Sequence, residues 1–405
     1  MNSAAEGGMP SGKISYNYHV RPILSDKCFK CHGPDLNKME AGLRLDLPEF
    51  AFAPLKETKG AFALVPGKPQ ESELYKRVIS TDPAYVMPTP DSHLGALTEV
   101  EADIIKKWIE QGAEYEPHWA FVAPVKQEVP KLDPSKTKNE IDYFIQQRLK
   151  EKGLSMNEEA DKERLLKRVS LDLTGLPPTE ALMDQFLQDK SENAYEKLVE
   201  TLLASPQYGE KMAVHWLDVA RYADSYGYQD DNIRTQWPWR DWVIKAFNEN
   251  MPYDQFVTWQ MAGDMLPNAT KEQILATAFF RNHKYTEEGG VIPEEYRIEY
   301  VLDKTKTYTK GLLGLTAECA QCHDHKYDPI SQKDYFSLFA FFNSTYEIGY
   351  EGDISISKPA KNPILKLTNE ELKSTLSFIN REDTGALMVS VMGELDTIRP
   401  TYVLN

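Results

Sequence analysis

Cysteine is scarce in this chain: 405 residues hold four, Cys28, Cys31, Cys319 and Cys322. All four fall in two CxxCH units and none lies elsewhere, so chance placement is a poor explanation of the pairs. Long hydrophobic runs are missing too; no stretch of about 18 apolar residues exists, and no membrane-spanning helix is expected. Positive charge is in deficit, with 46 Lys and Arg against 62 Asp and Glu, a formal charge of −16. Nucleic-acid phosphates would be repelled, which argues against nucleic acid as a partner. A basic redox partner protein is compatible with that charge. The opening "MNSAAEGGMPSGK" has neither a positively charged n-region nor an apolar h-region.

What is present is helical periodicity. "ALTEVEADIIKKWIEQGA" opens with Thr98 and Glu101 in a capping box and sets Val100, Ile104, Ile105, Trp108 and Ile109 on one face, with Gly112 as the stop. "NEIDYFIQQRLKEKG" repeats the pattern through Ile141, Phe144, Ile145 and Leu149. "DKERLLKRVSLDL" runs into the "GLPP" breaker, and "SPQYGEKMAVHWLDVARYADS" begins with Ser205 as N-cap and Pro206 at the first helical position. Its apolar stripe is Tyr208, Met212, His215, Trp216 and Val219. Further helices are expected over 239–249, 253–262, 271–282, 294–311 and 333–343. Period-two alternation occurs only in "EGDISISKPAKNPILKL", which suggests a small β-hairpin.

The expected fold is therefore mainly α. A helical domain at 13–115 is followed by a proline- and lysine-rich linker or strap at 116–137, a larger all-α domain at 138–346 holding the second CxxCH, and a C-terminal extension at 347–405. The chain stops in the apolar run "IRPTYVLN", and the natural protein is expected to continue.

Two thiols three positions apart can add across both vinyl groups of a porphyrin, and a histidine directly after them can bind its iron. A thioredoxin-type CxxC would sit in a βαβ unit, which neither copy does. A structural zinc site draws four ligands from pairs close together, whereas these pairs lie 291 positions apart (319 − 28). The reading is two covalently bound haem c groups: one on Cys28 and Cys31 with His32 on the iron, one on Cys319 and Cys322 with His323. Covalent attachment of this kind takes place outside the cytoplasm, so a periplasmic or extracellular protein with its export signal removed is expected.

The sixth ligands differ in legibility. Met87, flanked by prolines in "AYVMPTPDSHLGALT", is the expected partner of His32, with His93 and His19 as rivals. Met/His ligation raises the reduction potential and closes the iron. For the second haem, His283 in "FFRNHKYTEEGG" is the expected ligand; His215, a methionine or an open position are the alternatives.

The motifs "YHVRPILSDKCFKCHGPD", "LVPGKPQESELYKRV", "MPTP" and "WIEQGAEYEPHWAF" resemble the planctomycete-type cytochrome c domain. "RVSLDLTGLPPT", "LLASPQYGEKMAVHWLDVARYADSYGYQDD", "RNHKYTEEGGVIPEEYRIEYVLD" and "GLTAECAQCHDHKYDPISQKDYFSLFAFFN" resemble the uncharacterised domain that usually follows it. The resemblance covers roughly 14–346. It implies haem c, export and a further domain after "RPTYVLN". Members are abundant in bacteria that degrade complex polysaccharides. One departure is "MPTP" where the family more often has MPP; the methionine is kept.

Three other stretches carry candidate chemistry. "YADSYGYQDDNIRTQWPWRDW" interleaves aromatics with Asp224, Asp230, Asp231 and Asp241, suiting either haem packing and core or a carbohydrate platform. Glu287, Glu288, Glu294 and Glu295 surround a Gly-Gly turn and offer oxygen ligands for Ca2+, without EF-hand spacing. Asp324, His325 and Asp328 follow the second CxxCH closely, either tuning it or fixing the loop. The functional expectation is an electron-transferring dihaem cytochrome. The alternatives are a haem-dependent oxidoreductase acting on a carbohydrate or peroxide at the second haem, and a glycan-binding module with structural haem.

Overall fold

Side-chain caps and apolar stripes turn most of this chain into helix. At Thr98 the hydroxyl accepts from Glu101 N at 3.2 Å while the Glu101 carboxylate accepts from Thr98 N at 2.7 Å. This reciprocal cap, worth on the order of 1 kcal/mol, starts the helix Glu99–Glu110. Ile104, Ile105, Trp108 and Ile109 are buried along it, and Gly112 ends it at φ +108°. Val100, expected on the same face, is exposed.

The computed structural model of the chain describes residues 10, 12–35, 38–228, 230–352, 358–374, 376–379 and 387–403. They are mainly helical, with one short antiparallel pair of strands, Ile364–Leu367 and Leu387–Ser390. Leu367 and Val389 are fully buried in that pair. Part of the alternating stretch expected to form a hairpin, 353–357, lies outside the described residues. Among the described residues no helix is long and apolar enough to cross a membrane.

Proximity along the folded backbone divides the chain into two compact units. The first takes the described residues of Met1–Gln127 and Val403–Asn405 together with Ala317–Phe336; the second takes Glu128–Thr316 and Ser337–Tyr402. The segment with the second CxxCH thus folds with the first.

In the first unit Val20, Ile23, Leu24, Phe29, Leu45, Leu64, Ile105, Trp108 and Ile109 form one buried core. Tyr16 sits within it, 4.6 Å from Tyr115 and 5.7 Å from Trp108 between ring centres. The Glu116 carboxylate, far along the chain, accepts from Tyr16 N and Asn17 N at 3.2 Å each and from Ser15 Oγ at 2.9 Å. It satisfies the free amides at the start of Tyr16–Val20.

In the second unit the helices Lys162–Thr174, Glu180–Gln188 and Ala194–Leu203 enclose Leu166, Val169, Phe186, Leu198 and Leu202. The first of them ends at Gly175, φ +72°, as the breaker predicts. Helix Pro206–Val219 packs on Trp237–Asn248 through Gly209, whose N–H donates to Asn248 Oδ1 at 2.8 Å. A Cβ there would lie 2.5 Å from Ile244 O, so only glycine permits the approach. Ser205 takes the N-cap position of Pro206–Val219 with Pro206 first in the helix, as expected, although its hydroxyl donates to Leu202 O at 2.8 Å and makes no cap bond. One expectation is corrected: His215 is exposed, because the contact runs through Gly209 and Ala213. The stripe expected at Ile141, Phe144 and Ile145 lies on Glu140–Glu151 but is exposed.

Candidate functional site

The first CxxCH is built into helix. Arg21–Lys27 runs into the turn Phe29–His32, with Cys28 N donating to Leu24 O and His32 N to Cys28 O, both at 2.8 Å. Residues three and four apart share a helix face, so Cys28, Cys31 and His32 are brought side by side. Gly33 lets the chain leave at once: a Cβ there would lie 2.3 Å from Phe29 O. Cys31 O and His32 O then accept from Glu40 N at 2.9 Å and Leu45 N at 2.8 Å, which pins the returning strand of chain against the motif.

Cys28, Cys31, His32 and Met87 line one cavity of ≈400 Å³, walled by Leu45, Ala63, Leu74 and Val78 and by Lys27, Lys56 and Arg77. That volume lies within the range of small-molecule sites, about 300–1,000 Å³. His32 Nδ1 is buried with no hydrogen-bond partner, and burial lowers the affinity of the ring for a proton. The backbones of Leu43 and Glu40 approach it without closing a bond of ordinary geometry. Burial pushes the Cys28 thiol up to about 12, which favours the protonated thiol over the thiolate. The residues fit a covalent haem: two thiols on one turn, an imidazole and a thioether lining the same cavity, and apolar walls. The rivals of Met87 do not line the cavity. His93 is exposed at φ 58°, and His19 Nδ1 accepts from Ser15 N at 3.0 Å.

The second CxxCH is built otherwise. Glu318–Gln321 is a single 3-10 turn, and Cys319, Cys322 and His323 are exposed. His323 Nδ1 lies 2.7 Å from Asp324 O. A carbonyl only accepts, so Nδ1 carries the proton and Nε2 keeps the lone pair, the form a metal-ligating histidine takes. Asp324 Oδ1 accepts from Gln332 N at 2.8 Å, and buried His325 accepts at Nδ1 from Tyr327 N at 3.2 Å and Asp328 N at 2.9 Å. These residues fix the loop. Two anchors from the same unit hold it further: Arg21 donates to Tyr327 O, and His118 Nε2 lies 3.0 Å from Asp328 Oδ1. His118 escaped the sequence reading; its signal was the His-Trp pair in the strap.

His283 lies in the second unit, 2 % exposed, on Tyr300 with ring centres 4.4 Å apart. Nδ1 is 2.8 Å from Lys284 O and Nε2 is 2.7 Å from Glu347 Oε1. Both ring nitrogens are engaged, so neither is free for iron. Glu347 also meets Arg281 Nε at 3.0 Å and Lys304 Nζ, all three side chains being buried. Burial works to raise the Glu347 carboxyl, but Arg281, Lys304 and His283 override it and hold the group well below the usual carboxylate range. Desolvation drives His283 toward neutrality. Its two nitrogens nevertheless face two acceptors, a pattern only the imidazolium satisfies, and the hydrogen bonds decide.

The other candidate stretches resolve into structure. Trp237, Trp239 and Trp242 are buried, Trp242 stacking on Phe256 at 5.4 Å and Trp239 Nε1 donating to Ala276 O at 3.1 Å. They are core, not a platform. Glu287 is paired with Lys361 and Asn232, and Glu294 with Arg297. Among the described residues no group of three or more His, Cys, Asp or Glu is gathered as a metal cage.

Two families match the chain. One, described as Planctomycete cytochrome C, matches residues 28–91, from the first cysteine to past Met87. The other, described as Protein of unknown function (DUF1549), matches residues 140–347, more than half of the 405, and takes in the second CxxCH and His283. The first is described as a cytochrome family, and the CxxCH of Cys28, Cys31 and His32 falls at the start of the matched segment. Comparison with curated proteins and with solved structures finds no match.

Proposed function

Because this chain belongs to the family described as Protein of unknown function (DUF1549), here preceded by a planctomycete cytochrome C segment, we propose that it is a dihaem c-type cytochrome that transfers electrons outside the cytoplasm. One observation carries the reading: Cys28, Cys31, His32 and Met87 line a single cavity. A haem bound there supplies one-electron exchange at its iron. The chain's own residues do the rest. Cys28 and Cys31 would hold the porphyrin, His32 and Met87 would ligate its iron, and Leu45, Leu74 and Val78 would give the site apolar walls. Lys27, Lys56 and Arg77 are cations suited to the propionates. Cys319, Cys322 and His323 are proposed to hold the second haem, with His323 already in the ligating tautomer. The partner is a redox protein. Polysaccharide use is the proposed setting, from the family's distribution.

Replacing Met87 tests the reading. In Met87→Ala the haem stays covalently attached, and the reduction potential of the first site falls within the roughly 0.8 V range that axial ligands span. Spectroelectrochemistry reads the shift; an unchanged potential rejects Met87 as ligand.

A second reading, a haem-dependent oxidoreductase at the second site, is favoured by one observation. The described residues that line the cavity at His323 include no other histidine and no methionine. An iron lacking a strong sixth ligand would bind carbon monoxide when reduced. If no fraction of the reduced protein binds it, this reading falls.

A further inference from the structure

The cavity at His323 is ≈260 Å³, and one side of it is made by the first CxxCH. Phe29 and Lys30 are the two residues between Cys28 and Cys31, Pro34 follows that motif directly, and all three line the cavity with Leu94. Leu94 also lines the cavity of Cys28, Cys31, His32 and Met87, so one residue borders both. Its position is fixed, since Lys27 Nζ donates to Leu94 O at 2.9 Å. Phe29 belongs to the buried core of the first unit and is 4 % exposed.

We infer that the second porphyrin lies against this wall of Phe29, Pro34 and Leu94, and that the two haem sites adjoin within the first unit. The inference rests on the proposed second haem and adds where it binds. Chemistry supports the fit from three sides. The wall is apolar, as a porphyrin face requires. His323 presents Nε2 as a lone pair from the same cavity. Lys30, Lys38 and Lys326 outnumber Asp35 and Asp324 among its lining residues, leaving positive charge for the propionates. The anchors of the loop point the same way, because Arg21 and His118 tie Tyr327 and Asp328 to the unit that bears the first motif. Burying the exposed cysteines under a porphyrin would complete a site that the protein side chains alone leave open.

The test uses the full chain matured with haem. Adjoining porphyrins couple their transition dipoles, so the circular dichroism of the Soret band is expected to be bisignate. Cys319→Ala with Cys322→Ala should abolish that couplet and leave a single-signed band. The unmutated protein gives an independent reading: paramagnetic resonance of the fully oxidised form should be broadened, and should sharpen when one iron alone is reduced. Peptide mass analysis decides which idea has failed. Two attached haems with an unsplit band and unbroadened resonance overturn the adjoining wall and leave the two-haem reading intact. A haem on the Cys28 peptide alone overturns both.

Discussion

His32 and His283 show how differently two histidines of one chain can be used. His32 stands beside a cavity with a buried nitrogen that nothing in the protein satisfies. His283 has both nitrogens bonded and a charged network behind it. A buried polar group left without a partner costs about 1–3 kcal/mol, so a fold keeps one where something else uses the residue. The lesson is that commitment, not burial, separates a binding histidine from a structural one. His323 falls between them. Its Nδ1 is spent on Asp324 O, which frees Nε2.

The comparison breaks most visibly at Glu347. If the second-unit cluster is structural, Glu347→Gln removes the one anion shared by Arg281, Lys304 and His283 and leaves buried cations uncompensated. The expected cost is roughly 3–5 kcal/mol of stability in denaturant unfolding, with the haem spectrum unchanged. The acid limb follows by linkage. Glu347 sits below its unfolded value, so its contribution is full above the ordinary carboxylate pKa, about 4.3, and is lost as pH falls through the folded one. Glu347→Gln should flatten that limb while lowering the plateau. Should the variant unfold like the parent at every pH, the cluster is not a source of stability.

Much of this was legible because it is local. CxxCH fixes three groups within one helical turn, and the Thr98–Glu101 cap announces its own helix. The helix at Tyr253–Ala262 has the bounds its periodicity gives. What the sequence hid is long-range. His283 meets Glu347 sixty-four positions away, and nothing near either predicts the pairing. A histidine at a helix end beside a loop reads equally well as a ligand. The grouping of Ala317–Phe336 with the first unit is hidden for the same reason, since tertiary contact leaves no mark on local periodicity. His215 misled in another way. Small residues, Gly209 and Ala213, carry the contact with Trp237–Asn248, and Trp216 of the expected stripe packs on Phe256 and Phe279, while His215 falls just outside the packed face. The tryptophans of 237–242 suited core and platform alike, because exposure cannot be read from composition.

A smaller effect sharpens the contrast between the histidines. His283→Gln keeps a donor and an acceptor but cannot carry the ring's charge between Lys284 O and Glu347. Losing one charge-assisted bond in a buried setting costs about 1.5–3 kcal/mol, less than removing the anion itself, because Arg281 and Lys304 still hold Glu347. The visible spectrum and the reduction behaviour of the matured protein should be those of the parent, since both ring nitrogens are bonded within the protein. A shifted Soret band or a changed potential would mean that the imidazole leaves Glu347 when haem is present, and would return His283 to the coordination sphere.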